Sequence, residues 1–135
     1  MKSLLPIAIV LAITSAYGIW YQRSRGVIKA KIKAGTITEE MIGAPLGSRV
    51  TLVQFSSAFC TPCRATRALL ENIVEDLHDV VHVDIDAEDH LELVRELNIL
   101  STPTTLIVDS EGREVGRAVG APKREQVLNA ISAIR

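Results

Sequence analysis

Two cysteines separated by two residues constrain the fold of this chain more than any other feature of its sequence. The motif Cys60-Thr61-Pro62-Cys63 follows residues 50–55, an apolar run rich in β-branched side chains that predicts a buried strand. Residues 64–77, which come next, place apolar side chains three or four positions apart, as an amphipathic helix does. The sequence therefore predicts a Cys-x-x-Cys pair at the point where a strand ends and a helix begins.

The rest of the C-terminal part alternates between short apolar runs and amphipathic segments. Strands are predicted over residues 80–85, 104–108 and 113–119, and helices over residues 87–97 and 123–134. Strands joined through a helix pair in parallel, while the two strands joined by the turn at 109–112 pair antiparallel. We therefore expect an α/β domain over residues 50–135, in which helices flank a mixed sheet.

Residues 23–49 are predicted to be a basic stem between this domain and the N-terminal segment. Within it, Val27–Lys33 alternates apolar side chains with lysine, which favours a half-buried edge strand, although a plain linker is the alternative. Further along, Thr38 precedes two glutamates, and this pattern indicates a helical turn capped by the threonine hydroxyl.

The chain begins with an apolar segment, Leu4–Tyr21, of 18 residues. A membrane-spanning helix needs roughly 17–25 residues, and aromatic side chains gather at the C-terminal end of this segment as they do at a membrane interface. We predict that residues 1–22 form one uncleaved transmembrane anchor. The alternative is a signal peptide cleaved near Thr14-Ser15-Ala16.

The charges that flank the apolar segment predict its orientation. Lys2 and the α-amino group precede it, and five basic residues follow it: Arg23, Arg25, Lys29, Lys31 and Lys33. Because the more basic flank tends to stay in the cytoplasm, we predict a single-pass membrane protein with its C-terminal domain on the cytoplasmic face. Export of that domain is the alternative.

The charge distribution also excludes some classes of partner. Residues 1–33 hold six of the 15 basic residues and none of the 16 acidic ones. A basic stem before an acidic domain favours contact with a membrane surface and argues against a nucleic-acid partner, although the stem lysines alone would also suit a solvated linker. With two cysteines and no metal-ligand spacing among the three histidines, we expect no metal site and no bound cofactor.

A Cys-x-x-Cys pair at a strand–helix junction has a specific chemistry. Unpaired N–H groups and the helix dipole stabilise the thiolate of Cys60 and lower its pKa below the value of about 8.5 for free cysteine. Cys63 lies in the first turn, close enough to form a disulfide with Cys60. We predict that Cys60 attacks a disulfide and that Cys63 resolves the mixed disulfide. A buried, inert cysteine pair is the alternative.

Several segments of the chain resemble motifs of the thioredoxin family. They are residues 53–64 around the cysteines, 83–86, 99–104 around Pro103, 112–115 and 119–121. The resemblance covers residues 50–135 and implies a thioredoxin-like mixed sheet flanked by helices, here preceded by one N-terminal transmembrane helix. It also implies that Pro103 is cis and faces the cysteines, where the backbone of Thr102 hydrogen-bonds an extended substrate.

The chain departs from the family pattern near the cysteines. Gln54 stands where the family has a buried aspartate that helps to deprotonate the resolving thiol, and an amide cannot take a proton. His82 replaces the lysine partner of that aspartate, so we hypothesise that its imidazole supplies the acid–base function; a solvated histidine is the alternative. Ser56 and Phe59 replace the flanking tryptophans, and Phe59 keeps an apolar contact surface beside Cys60.

Together these motifs predict a thiol–disulfide oxidoreductase that reduces protein disulfides near the membrane. No histidine lies between the cysteines, and its absence favours a reductant over an oxidase. Electrons would come from a reductase or from a membrane thiol carrier. The alternative is a redox-sensing or partner-binding module with the same fold and little turnover. An exported oxidase or cytochrome-maturation reductase would require the opposite topology.

Overall fold

The computed structural model describes residues 4–24, 28–29 and 35–135. In chain order its elements are α1 (Leu4–Ser24), β1 (Ile28–Lys29), α2 (Glu39–Ile42), β2 (Val50–Ser56), α3 (Thr61–Glu75), β3 (Val80–Asp86), α4 (Leu91–Glu96), β4 (Thr104–Asp109), β5 (Glu114–Val119) and α5 (Arg124–Ser132). The order predicted from the sequence after residue 50 is confirmed. The helix predicted over 87–97 is shorter than expected, because residues 87–89 form a turn.

The strands within these described residues form one mixed sheet in the order β1-β5-β4-β2-β3. β2 pairs in parallel with β3 and antiparallel with β4, and β4 and β5 form the antiparallel hairpin. All seven residues of β2 are buried, as its apolar sequence predicts for a central strand. The mixed sheet flanked by helices is therefore confirmed.

The first strand of the sheet falls within the edge strand predicted over 27–33. Ile28 lies opposite Ala118 of β5, and Lys29 lies opposite Arg117, in antiparallel register. The other residues of that prediction lie outside the described part of the chain.

Hydrophobic side chains pack against both faces of the sheet. Because successive side chains of a strand point to opposite faces, Val53 and Phe55 of β2 face one side and Val50 and Leu52 face the other. The first face is covered by residues of α2 and α4, with Ile37; the second is covered by α3 and α5. This packing holds the C-terminal end of β2 and the N-terminal end of α3 in a fixed relation.

Residues before position 50 contribute to this core. Ile37 and Ile42 are buried in it, and the Ile37 N–H donates to the carbonyl oxygen of Gly112 at 2.7 Å. The predicted cap of α2 is present, since the Met41 N–H donates to the Thr38 hydroxyl at 3.3 Å. The functional division of the chain into residues 1–22, 23–49 and 50–135 stays a prediction.

The N-terminal apolar segment forms the helix α1. Its residues 5–23 are exposed, and its length and composition suit a membrane span. A signal sequence satisfies the same criteria, so the helix by itself does not distinguish an anchor from a leader.

Candidate active site

The Cys-x-x-Cys motif lies at the junction between β2 and α3, where the sequence places it. β2 ends at Ser56, a short loop follows, and Cys60 has extended backbone angles as the N-cap of α3. Pro62 occupies the first helical turn, where a missing N–H leaves no helical hydrogen bond unmade. The helix therefore starts with its unpaired N–H groups around the first cysteine.

The two cysteines are joined by a disulfide with an S–S distance of 2.00 Å and a Cα–Cα distance of 5.2 Å. The Cys63 N–H donates to Cys60 Sγ at 3.2 Å, a contact that would also stabilise a thiolate at Cys60 in the reduced protein. Cys63 is only 1% exposed, whereas Cys60 is half-buried. The first cysteine of the pair is therefore partly exposed to solvent, and the second is buried.

Gln54 is fully buried in β2, and its amide contacts the cysteine turn. Its Nε2 donates to the carbonyl oxygen of Cys63 at 2.9 Å and to Ser56 Oγ at 3.0 Å. Its Oε1 lies 3.0 Å from His82 Nε2. Because an amide has no titratable proton in this range, Gln54 holds the first turn of α3 against β2 without exchanging protons.

His82 lies on β3 beside this amide. An amide oxygen can only accept, so the Nε2 atom that faces Gln54 carries the ring hydrogen. The pKa of His82 lies below its ordinary value of 6.5, because the effect of burial is larger than the opposing effect of the Asp84 and Glu71 carboxylates. The imidazole is therefore neutral at neutral pH, and its proposed acid–base role stays a prediction.

The lowered pKa of His82 gives an expected pH dependence of stability. In the unfolded chain His82 takes up a proton at about pH 6.5, and in the folded chain it does so only at a lower pH. The contribution of neutral His82 to stability is therefore fully present above about pH 6.5 and is lost as the pH falls below that value. We expect the urea midpoint of the full chain in mild detergent, followed by far-UV circular dichroism, to fall between about pH 7 and pH 5. A His82→Gln variant should lose less over that range. Equal losses in both proteins would contradict this assignment.

Protonation of Asp79 and Asp109 does not contribute to the change in stability between about pH 7 and pH 5. Hydrogen bonding to Arg49 lowers the pKa of Asp79, and hydrogen bonds around Arg113 outweigh burial to lower the pKa of Asp109. Both start from 3.8, so their contributions to stability are lost only below that pH.

A second polar cluster is linked to Gln54 through the hydroxyl of Ser56. The Ser56 hydroxyl donates to Asp84 Oδ1 at 2.6 Å, and Arg67 Nε donates to Asp84 Oδ2 at 2.6 Å. These three residues and Cys63 border a cavity of about 230 Å³, together with Ser57, Ala58, Arg64 and Asp86. The alternation of acidic and apolar residues over 83–86 is equally typical of a solvated strand end, so the small side chain of Ser56 is the only signal in the sequence that points to this space.

The loop before β4 lies against the loop that precedes Cys60. The peptide bond between Thr102 and Pro103 is cis, as the family resemblance implies. Ser57 Oγ and Thr102 Oγ1 are 3.1 Å apart, and the Gly120 N–H donates to the carbonyl oxygen of Pro103 at 2.8 Å. The fold thus brings the proline loop and the cysteine loop together from distant parts of the sequence.

Two exposed apolar side chains extend from these loops. Phe59, next to Cys60, is fully exposed, and so is most of Leu100, which precedes Ser101 in the proline loop. Apolar groups presented in this way suit contact with another protein. The sequence analysis named Phe59 as a contact residue, which stays a prediction, and it did not point to Leu100. Among the described residues, no cluster of three or more histidine, cysteine or acidic side chains could hold a metal ion.

A family model, curated sequences and solved structures all match this chain to thioredoxins. The family model described as Thioredoxin matches residues 36–133. The thioredoxin of Chlamydia pneumoniae is 31% identical over 96 residues, which are 71% of this chain and 93% of that protein. Thioredoxin H2 of Arabidopsis thaliana is 27% identical over 88 residues, and the match spans 65% of either chain. The crystal structure of thioredoxin from Trypanosoma brucei brucei, 22% identical, aligns with a TM-score of 0.60 over 82% of this chain and 94% of that one.

Proposed function

Because the chain belongs to the thioredoxin family, we propose that it reduces disulfide bonds of protein substrates at a membrane surface through Cys60 and Cys63. The observation that carries the proposal is the asymmetry of the pair. Cys60 is half-buried at the start of α3, while Cys63 is buried one turn further along and within bonding distance of it. A substrate can therefore meet the first sulfur atom, and the second is placed to displace the substrate afterwards.

The proposed reaction consists of two thiol–disulfide exchanges. The Cys60 thiolate attacks one substrate sulfur, so a Cys60–substrate bond forms, the substrate disulfide breaks, and its other sulfur leaves as a thiolate. Cys63 then loses its proton and attacks Cys60 Sγ, which releases the second substrate thiolate. The chain ends two electrons poorer, with the disulfide seen in the structure.

The electrons must then be restored by another dithiol. We propose that a reductase or a membrane thiol carrier reduces the Cys60–Cys63 disulfide by the same exchange in reverse. The sulfur atoms themselves carry the electrons, so the exchange requires no bound cofactor. The absence of a histidine between the cysteines supports reduction as the working direction.

For substrate binding, we propose a surface that consists of Phe59, Thr102 and Pro103. The backbone of Thr102 would hydrogen-bond an extended segment of the substrate, as in strand addition. The hydrogen bond between Ser57 and Thr102 supports this role, because it holds the proline loop beside the cysteine loop. The exposed ring of Phe59 would contact apolar side chains of the substrate.

The membrane location rests on α1 and on the charges that flank it. We propose that residues 1–22 anchor the chain and that residues 50–135 lie on the cytoplasmic face, which the basic residues after α1 support. A membrane-impermeant thiol reagent should then label Cys60 only in permeabilised cells. Labelling in intact cells would place the domain outside, and a mature N-terminus near residue 17 would indicate a cleaved leader.

Turnover distinguishes the enzyme from the alternative, a redox-sensing or partner-binding module. The replacement of the buried acid by Gln54 is the observation that favours the module. We expect the full chain in mild detergent to accelerate the reduction of insulin by dithiothreitol, well beyond one disulfide for each molecule of protein. Exchange that stops after a single stoichiometric round would support the module instead.

A further inference from the structure

In the proposed reaction, Cys63 must lose a proton before it attacks the mixed disulfide. The Cys63 residue is 1% exposed, so the proton has to leave through the protein interior or through a cavity. Gln54, the buried side chain that contacts the Cys63 carbonyl, cannot accept a proton. His82 directs a nitrogen that already carries a hydrogen toward Gln54. Neither group therefore presents a free acceptor on this side.

The cavity of about 230 Å³ beside Cys63 offers a path by which the Cys63 proton can leave through water. A water molecule needs only roughly 10–15 Å³ of such space and two or more polar partners, so the cavity can hold several waters. Two carboxylates line it. The oxygen Oδ1 of Asp86 accepts from the backbone N–H of Glu88 at 2.8 Å, which ties that carboxylate to its own turn.

Asp84 is the carboxylate that is connected to the cysteine turn. Ser56 Oγ, which donates to it at 2.6 Å, accepts in turn from Gln54 Nε2, the same nitrogen that donates to the Cys63 carbonyl. Arg67, one helical turn after Cys63 on α3, holds the other oxygen of Asp84. The Asp84 side chain is 24% exposed, so it can pass a proton on to solvent.

We propose that Asp84 is the proton acceptor for the Cys63 thiol during resolution, with water in the cavity as the bridge. The Cys63 thiol gives its proton to a water, which passes one to the Asp84 carboxylate, and the electron pair stays on sulfur. That pair forms the bond to Cys60 Sγ, while the Cys60–substrate bond breaks and its electron pair leaves on the substrate sulfur. Asp84 afterwards releases the proton to solvent. This role rests on the proposed reductase function.

Ser56 makes the route possible because it is small. The family resemblance assigns a tryptophan to this position. Because an indole is much larger than the serine side chain that borders the cavity, a tryptophan here would take up space that the waters need. The chain thus combines an amide at position 54, which cannot accept a proton, with an open polar space that leads to a carboxylate. These two departures from the family pattern compensate for each other in this proposal.

Because Asp84 is charged, the direction in which its replacement changes the rate of resolution distinguishes a proton acceptor from a simple electrostatic effect. The charged and titratable groups around it are Arg64 and Arg67 on α3, and His82 and Asp86 on β3. An Asp84→Asn variant keeps the size of the side chain and removes one negative charge near a thiol that must become negative. By charge alone, this change should make resolution faster. Slower resolution would therefore indicate loss of a proton acceptor.

The test uses the reduced full chain in mild detergent, mixed with one equivalent of dithiobis(nitrobenzoic acid). Attack by Cys60 releases the first thionitrobenzoate, and resolution by Cys63 releases the second, so the two steps appear as two phases of absorbance. For Asp84→Asn at about pH 6.5, we expect an unchanged first phase and a second phase slower by about 100-fold. The deficit should shrink toward about pH 9, where hydroxide takes over as the acceptor.

Matched variants separate this role from a structural one. Asp84→Glu should restore the second phase, because it keeps a carboxylate. Ser56→Trp, which introduces the larger side chain of the family at the border of the cavity, should slow the second phase while the Asp84–Arg67 pair remains, and this variant decides the case if Asp84→Asn does not fold. Asp79→Asn, which removes a carboxylate from the Arg49 pair, should leave both phases unchanged. A second phase that is unchanged or faster in Asp84→Asn, or slowed by His82→Gln alone, overturns the proposal. A wild-type chain that lacks the first phase would instead refute the reductase function.

Discussion

Replacing Cys60 by serine should abolish insulin reduction, while replacing Cys63 by serine should trap the substrate on Cys60. A serine hydroxyl is not ionised near neutral pH and does not attack disulfides, so we expect Cys60→Ser to lose turnover by on the order of 10³-fold or more. In Cys63→Ser the first exchange remains possible, because Cys60 keeps its place at the start of α3. Without the second thiol, the mixed disulfide with the substrate should persist.

Non-reducing gel electrophoresis distinguishes the two variants. Cys63→Ser should migrate as an adduct with the substrate, and dithiothreitol should release that adduct. Cys60→Ser should form much less adduct, because the remaining thiol at position 63 is buried. The assigned roles would be wrong if Cys60→Ser formed the adduct and Cys63→Ser did not.

The second large effect is expected at a buried ion pair outside the cysteine site. Glu114 on β5 has a side chain 0% exposed, and its carboxylate accepts from Arg117, whose side chain is 11% exposed. Arg117 Nε lies 2.7 Å from Glu114 Oε1, and the same guanidinium donates to the carbonyl oxygens of Leu97 and Asn98 at 2.8 and 3.1 Å. It therefore ties β5 to the chain just after α4, where the proline loop begins.

We expect Arg117→Met to destabilise the fold by about 3–5 kcal/mol, because it leaves the Glu114 carboxylate buried without its partner. Urea unfolding of the full chain, followed by far-UV circular dichroism, measures this change. The double variant Glu114→Gln/Arg117→Met should recover part of the loss, since no unpaired charge remains. Arg113→Met, at an arginine exposed to solvent, should shift the midpoint much less. Equal midpoints for Arg117→Met and the wild type would contradict the expectation.

The fold was predictable from the sequence where the pattern is strongly periodic. β2 is apolar throughout and proved to be the buried central strand, and the apolar stripe of α3 faces the core through Leu70 and Ile73. The pairing of β1 with β5 was not predictable, because two residues carry no pattern that selects a neighbour. The shorter α4 has a similar cause, since the turn at 87–89 is stabilised locally and not by an apolar period.

The arrangement of the candidate site was predictable as far as its residues belong to one motif. Cys60 and Cys63 follow from the junction of a strand and a helix, and the cis bond before Pro103 followed from the family resemblance. The contacts among Ser56, Asp84 and Arg67 join three separate elements, so no local pattern contains them. The alternation of acidic and apolar side chains in β3 is equally typical of a solvated strand, and only the tertiary structure shows that Asp84 lies beside the cavity.

The proposed function depends on Cys60 being the more reactive sulfur, held as a thiolate by the N-terminus of α3. The rate of alkylation of the reduced full chain by iodoacetamide, measured against pH with the labelled cysteine identified by mass spectrometry, tests this directly. We expect labelling at Cys60 first, with a rate that stays high well below the pKa of about 8.5 for free cysteine. Equal labelling of both cysteines, with rates that follow the acidity of free cysteine, would contradict it.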